Sequence, residues 1–319
     1  MLLTATITTT IIIAGTFIYL RYFAKKRLII STTTSLDETG LLGEIKKAFE
    51  EKCPITLNFI PVGTGIAIEQ AKRGEMDLTL VHSPTLEKTF LEQGYGVCRK
   101  IIAYNFFTII GPKEDPAGIG QLNVTEALKR IVEYGRTQTR KVWISRGDNS
   151  GTHQKEQNLW KIAGYNYTLL SKETWYEGGG GKMGDTLFKA EEFSAYALSD
   201  TGTYLKYFKD NRISLQALIT EEKVLLNVYS VIAVNPMRYP DINFNDTITF
   251  MRFLISNETQ QLIENYGKSD YGRSLFYAAV EPLKQNSPQP IVQWIKDYAY
   301  FNESECPQEH RCGQEDLYD

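Results

Sequence analysis

The chain has 319 residues, of which 42% are hydrophobic and 23% charged, and a formal net charge of −3. That length can bury a sizeable core in one or two lobes. A slightly acidic balance, with no basic stripe interleaved with aromatics, argues against nucleic acid as a partner and leaves the scattered Lys and Arg as solvated surface. At the N-terminus, Leu2 to Leu20 carries no charge and is about long enough to cross a bilayer as one helix. No Ala-x-Ala-like cleavage site and no lipidation cysteine follows it, so residues 1–27 are expected to be a retained membrane helix with a basic linker, the body lying at the cell surface. The basic stretch Arg21 to Arg27 conflicts with that orientation, because the positive-inside rule would put it in the cytoplasm.

Beyond the linker, short β-branched runs alternate with amphipathic stretches. Arg27 to Thr32 reads as a buried strand, Thr32 to Ser35 as a polar junction, and Leu41, Leu42, Ile45, Ala48 and Phe49 as one face of a helix. The unit repeats with a strand Ile55 to Val62, the turn Gly63 to Gly65 and a helix ended by Gly74, and a third strand follows at Met76 to Pro84. Strands separated by helices imply α/β lobes, each a mainly parallel sheet flanked by helices. Ile101 to Pro112 is a long apolar strand. After it come a helix near Val124 to Gly135, a strand Lys141 to Ser145, a helix from about His153, a glycine-rich turn at Glu177 to Thr186 and a strand Ser194 to Asp200. Val224 to Pro236 is a second long apolar run. Two such runs bracketing one region predict two crossings between lobes: residues 28–112 plus 230–300 form the first lobe and 113–229 the second. Ile248 to Gly267 has the spacing of one helix, and the polar tail 301–319 is expected to be loosely held.

Cys53, Cys98, Cys306 and Cys312 permit two disulfides in an exported chain. Cys306, His310 and Cys312 lack a fourth ligand, so a short disulfide loop is a better reading than zinc. No cofactor is implied.

The strand-to-helix junctions carry short hydroxyls and glycine: Thr34 and Ser35; Gly63, Thr64 and Gly65; Ser150, Gly151 and Thr152; and Met183, Gly184, Asp185 and Thr186. The first N–H groups of a helix have no internal partner and sit in its positive dipole end, which makes such junctions seats for anions. Any single one is also an ordinary cap. Arg146, at the level of the Ser150 junction, can offer a planar fork to oxyanion oxygens, pair with Asp148, or do both. Ser150, His153 and Asp148 contain the residue types of a hydrolytic triad. Their crowding within one turn and the missing Gly-x-Ser-x-Gly elbow speak against it. His153 and Glu156 read instead as first-turn residues that bond back and hold the loop. The glycine run at 178–181 lacks the Lys-Ser/Thr of a phosphate-binding P-loop.

Taken in order, "TTTS", "VGTG", "LVHSP", "GYGVCRKIIAYNFFTIIGPKEDPAGI", "SRGDNSGTHQKE", "GKMGDTL" and "AYALSDTGTYL" resemble the substrate-binding proteins of tungstate ABC transporters, from about Thr32 to past Tyr204. The stretch around Arg146 is also similar to the Arg-x-Asp-x-Ser-Gly-Thr motif of periplasmic phosphate-binding proteins, which keeps phosphate as the alternative ligand. The resemblance implies a two-lobed periplasmic-binding-protein fold of the second type that captures tungstate or molybdate without turning it over and hands it to a membrane permease. It implies ligand contacts from Thr34, Ser35, Thr64, Arg146, Ser150, Gly151 and Thr152, with Gly184 as a backbone donor, and metal entering only as the oxyanion. A donor-only socket favours a fully deprotonated ion, so Asp148 is expected to face Arg146 or a backbone N–H.

Overall fold

The computed structural model describes residues 26–178 and 181–319. β1 (Lys26–Thr33), β2 (Ile55–Val62) and β3 (Leu78–Val81) run parallel, with β1 between the other two. β4 (Gly96–Gly111) is a single strand of 16 residues whose burial is nearly continuous along its length. β5 (Trp143–Ile144), β6 (Tyr176–Glu177) and β7 (Tyr196–Asp200) form the second parallel group, with β5 at its centre. β8 (Gln216–Ile219) pairs with the end of β4, and β9 (Leu226–Val234) lies antiparallel between β3 and β4. β10 (Tyr277–Ala278) adds a short antiparallel pair on β4.

One ten-stranded network results, with the path β2-β1-β3-β9-β4-β7-β5-β6. β4 pairs with β9 from Gly96 to Phe106, then with β7 from Phe107 to Ile110, and so passes from one half of the molecule into the other. The expectation of mainly parallel sheets needs correction: the sheet is mixed. A strand that returns beside its outgoing counterpart must run against it, and β9 returns along β4.

Alternation along the strands sorts residues to opposite faces. Leu28, Ile30, Leu78, Leu80, Val231 and Ala233 share one core, while Ile29, Val81, Ile232 and Val234 face the other side. A third core holds Trp143 and Trp160, edge to face at 5.0 Å, together with Phe107, Val228 and Leu159. Val292, Ile295 and Ala299 of the helix Ile291–Ala299 belong to the same core.

Two expectations fail locally. The single helix over 248–267 is instead Phe244–Ile255 followed by Asn257–Asn265. Ser256 between them takes extended backbone and accepts from the N–H of Thr259, so its side chain starts a new helix rather than continuing the old one. The tail is not loose: Cys306 and Leu317 are fully buried, and the Glu305 carboxylate accepts from the N–H of Ile101 and the ammonium of Lys100. The apolar run Leu2 to Leu20 lies outside the described residues. Among the described residues no helix is long and apolar enough to cross a membrane.

Candidate functional site

Parallel strands end on the same edge of their sheet, and each junction described above sits at such an end. The two halves turn these ends toward each other. Arg146, 3% exposed after β5, donates through Nε to Asp148 Oδ2 at 2.9 Å and to the carbonyl of Gly181 at 3.1 Å. Its Nη2 reaches across to the Thr34 hydroxyl at the end of β1, at 2.7 Å. Further bonds span the same divide: Lys206 Nζ to the carbonyl of Glu38 at 2.8 Å, and Ser83 Oγ to Gln154 Oε1 at 3.2 Å.

The glycines mark how closely the loops approach. A Cβ on Gly63 would meet the α-carbon of Ser150, and one on Gly65 the carbonyl of Asn149. A Cβ on Gly151 would stand 2.6 Å from Cε1 and 2.7 Å from Nε2 of His82, and 3.0 Å from Thr64 Oγ1. At Gly63 and Gly65 a Cβ would make only ordinary contact, whereas at Gly151 only a residue without a side chain lets the surfaces touch. The hydroxyls of Thr64, at this contact, and of Thr152, next to Gly151 in the chain, are buried with no hydrogen-bond partner among the described residues, as are those of Thr32, Thr203, Ser230 and Thr247. An orphaned buried donor costs about 1–3 kcal/mol, so an acceptor placed there would relieve both hydroxyls.

The remaining sequence-derived residues fall into place around them. Ser150 caps the helix Gly151–Ile162, accepting from the N–H of His153 at 3.3 Å. Ser35 is buried beside Thr34, its hydroxyl donating to Thr33 at 3.5 Å. Gly184 is the second residue of the helix Met183–Phe193, and a Cβ added there would collide with the Tyr207 hydroxyl. No described hydrogen bond joins Gly184 to the other candidates.

Asp148 faces inward to the protein's own donors: Oδ2 takes Arg146 Nε, and Oδ1 takes the N–H of Ser150 at 3.0 Å. The triad reading fails on geometry. His153 Nδ1 accepts from the N–H of Asn149 at 2.9 Å and Nε2 lies 2.6 Å from the Tyr167 hydroxyl, so its imidazole holds the loop and is not bonded to the Ser150 hydroxyl. Glu156 does not bond back to the loop as expected. Its buried carboxylate accepts from Trp143, Ser145, Trp160 and Tyr176, and so braces β5 just before Arg146. Burial pushes its pKa up, while those donors hold it down.

Sequence reasoning missed His82 as a site residue. The backbone carbonyl of Leu275 can only accept, so the Asn105 amide nitrogen must point to it, at 3.2 Å. Asn105 Oδ1 then accepts from Asn227 Nδ2 at 2.9 Å, which leaves Asn227 Oδ1 to accept from the His82 Nδ1–H at 2.7 Å. His82 is thereby the tautomer with an unprotonated Nε2, on the ring edge facing Gly151. Burial pushes its pKa down to about 4; the bond to Asn227 opposes this, and Arg146 and Lys155 add to it. Its position at the end of β3, level with the other junctions, is the signal that could have found it. Asp200, at the end of β7, was also missed. It caps the helix Thr201–Lys209, and burial raises its pKa.

A mixed sheet shared by two α/β halves, with strand ends from each half set opposite one another, is an α/β fold of the binding-protein class. Residues 14–258 match the PBP superfamily domain, and the chain belongs to that superfamily. Over 256 residues it is 38% identical to the tungstate-binding protein TupA of Peptoclostridium acidaminophilum, covering 79% of this chain and 86% of that protein. Among solved structures, the tungstate binding protein TupA from Desulfovibrio alaskensis G20 aligns with a TM-score of 0.68 and 37% identity, covering 80% of this chain and 99% of that one. The tungstate ABC transporter structure from Geobacter sulfurreducens gives 0.67 and 39%, covering 75% and 98%. Among the described residues no group of three or more His, Cys, Asp or Glu side chains is placed to hold a metal cation.

Proposed function

We propose that this chain is an extracytoplasmic solute-binding protein that captures tungstate, or the isosteric molybdate, between its lobes and delivers it to the membrane permease of an ABC transporter. The observation that carries this reading is the pair of orphaned hydroxyls, Thr64 and Thr152, contributed by opposite halves, together with Arg146, which donates from the second half to the Thr34 hydroxyl of the first. Moving a bare dianion out of water costs on the order of tens of kcal/mol by continuum reckoning, so many neutral donors and one cation must replace its hydration. Thr34, Ser35, Thr64, Arg146, Ser150, Gly151 and Thr152 supply them, with Gly184 as a backbone donor in the family pattern. Because these groups come from both halves, the ligand binds the closed form far better than the open one and closes the hinge along β4 and β9. The lobes on this reading are residues 28–112 plus 230–300 and residues 113–229. The apolar run Leu2 to Leu20 anchors the body to the membrane.

Phosphate is the weaker ligand on this reading, because a monoprotonated oxyanion needs an acceptor for its proton and the carboxylate of the motif, Asp148, is turned to Arg146 and the N–H of Ser150. Calorimetric titration of the purified chain with tungstate, molybdate, sulfate and phosphate tests the assignment. Tight binding of tungstate and molybdate is expected, and tight binding of phosphate without them overturns it.

A further inference from the structure

The segment that follows the last helix lies outside the residues matched to the superfamily, yet it is seated on the first residues of β4. Cys98 stands where the ladder between β4 and β9 slips, between Val97 and Lys100, and its backbone is left-handed with φ 54°. A bulge of this kind re-aims a side chain out of the strand's alternation. Here it aims the thiol at the tail: Cys98 Sγ lies 3.2 Å from the carbonyl of Arg311. The next residue, Cys312, is left-handed as well, with φ 48°, and its thiol lies in hydrogen-bonding reach of that of Cys98. Cys306 is close by but turned to the Tyr318 hydroxyl and the backbone of Arg99. Cys53 follows the helix Leu41–Lys52, and the sulfurs that act on Cys98 are those of Cys312 and Cys306.

We propose that Cys98 and Cys312 are a disulfide pair that staples the C-terminal segment to the strand connecting the two lobes. The short Cys306–Cys312 loop suggested by sequence spacing is not the pairing that these contacts favour. The step is a thiol–disulfide exchange. Cys312, the exposed member, attacks an oxidised disulfide donor as its thiolate and releases one thiol; Cys98 then displaces the second. Two thiols thus lose two protons and two electrons, and the donor is reduced to two thiols. Burial pushes the pKa of both thiols up, and it is exposure that makes Cys312 the one to meet the donor first.

The bond would secure more than the tail. Glu305 accepts from Lys100 and from the N–H of Ile101, and its carbonyl accepts from Arg99 at 2.7 Å. Arg99 is in turn paired with Glu87, both wholly buried. Release of the segment would strip two buried cations on β4 of partners, so a covalent tie there protects a charge network that the superfamily domain alone does not close. The proposal rests on the extracytoplasmic reading only for its oxidising surroundings. Its test involves neither ligand nor membrane, so the two can fail separately.

The test is equilibration of the full chain with oxidised glutathione, blocking of remaining thiols with N-ethylmaleimide, and mass mapping of a non-reducing digest. A linked peptide pair containing Cys98 and Cys312, two hydrogens lighter than its reduced sum, is expected, with Cys53 and Cys306 alkylated. The oxidised chain should melt several degrees above the reduced one. That difference should vanish in Cys312→Ser, a change at an exposed residue, and persist in Cys306→Ser. Four alkylated cysteines after oxidation, a Cys306–Cys312 peptide, or a melting difference that survives in Cys312→Ser each overturns the pairing.

Discussion

Replacing Gly151 with alanine should weaken ligand binding while leaving the ligand-free fold intact. The added methyl would stand 2.6 and 2.7 Å from the His82 ring and 3.0 Å from Thr64 Oγ1, against about 3.5–4.0 Å for ordinary contact between carbons. The ring has nowhere to go, since Asn227 holds Nδ1 at 2.7 Å and Tyr229 stacks on it with centroids 5.1 Å apart. Gly151 itself is not in the left-handed region, and alanine is the better helix former, so the substitution carries no backbone penalty within its own lobe. The cost appears only when the loops meet. Overpacking of this kind costs about 1–3 kcal/mol, which is roughly a 5- to 150-fold loss of affinity. Calorimetry with tungstate, paired with thermal denaturation of the ligand-free protein, separates the two states. An unchanged affinity, or an equal loss of stability without ligand, would refute the claim that this contact belongs to closure.

Arg146→Ala should weaken binding by about 2–5 kcal/mol, as removal of a buried charge partner does, and Arg146→Lys should restore only part of it because an ammonium lacks the planar fork; unchanged affinity removes Arg146 from the pocket. His82 should make the fold acid-sensitive. Its folded pKa of about 4 lies below the usual 6.5, so as pH falls through that window the unfolded chain takes a proton that the folded one refuses, and stability is lost, by about 3 kcal/mol in all. In urea titrations at pH 7 and pH 4, the wild type should lose that much relative to His82→Gln, and parallel behaviour of the two would show that the imidazole is not held neutral by burial. Glu156→Ala leaves two indole N–H groups and two hydroxyls without their acceptor, and should destabilise the protein by about 3–5 kcal/mol; a loss below about 1 kcal/mol in urea denaturation would mean that those donors find other partners.

Much of the molecule was legible from local pattern. The alternation in β1 and β3, the apolar length of β4 and β9, and the hydroxyl and glycine junctions depend on neighbours within a few positions, where backbone preference and side-chain period decide the outcome. The Arg146 and Asp148 pair, two residues apart, is of this kind. What only the tertiary structure decided involves partners far apart in the chain: His82 with Asn227, Arg146 with Thr34, Glu305 with Lys100, and Cys98 with the loop of Cys312. No periodicity encodes such pairs. Charges and hydroxyls near each other in space are chosen by which surfaces pack, so the tail that looked free proved to be buried, and a histidine in an ordinary turn proved to be wedged between the lobes. The sequence determined which groups stand at the strand ends; the packing of one half against the other determined which of them meet.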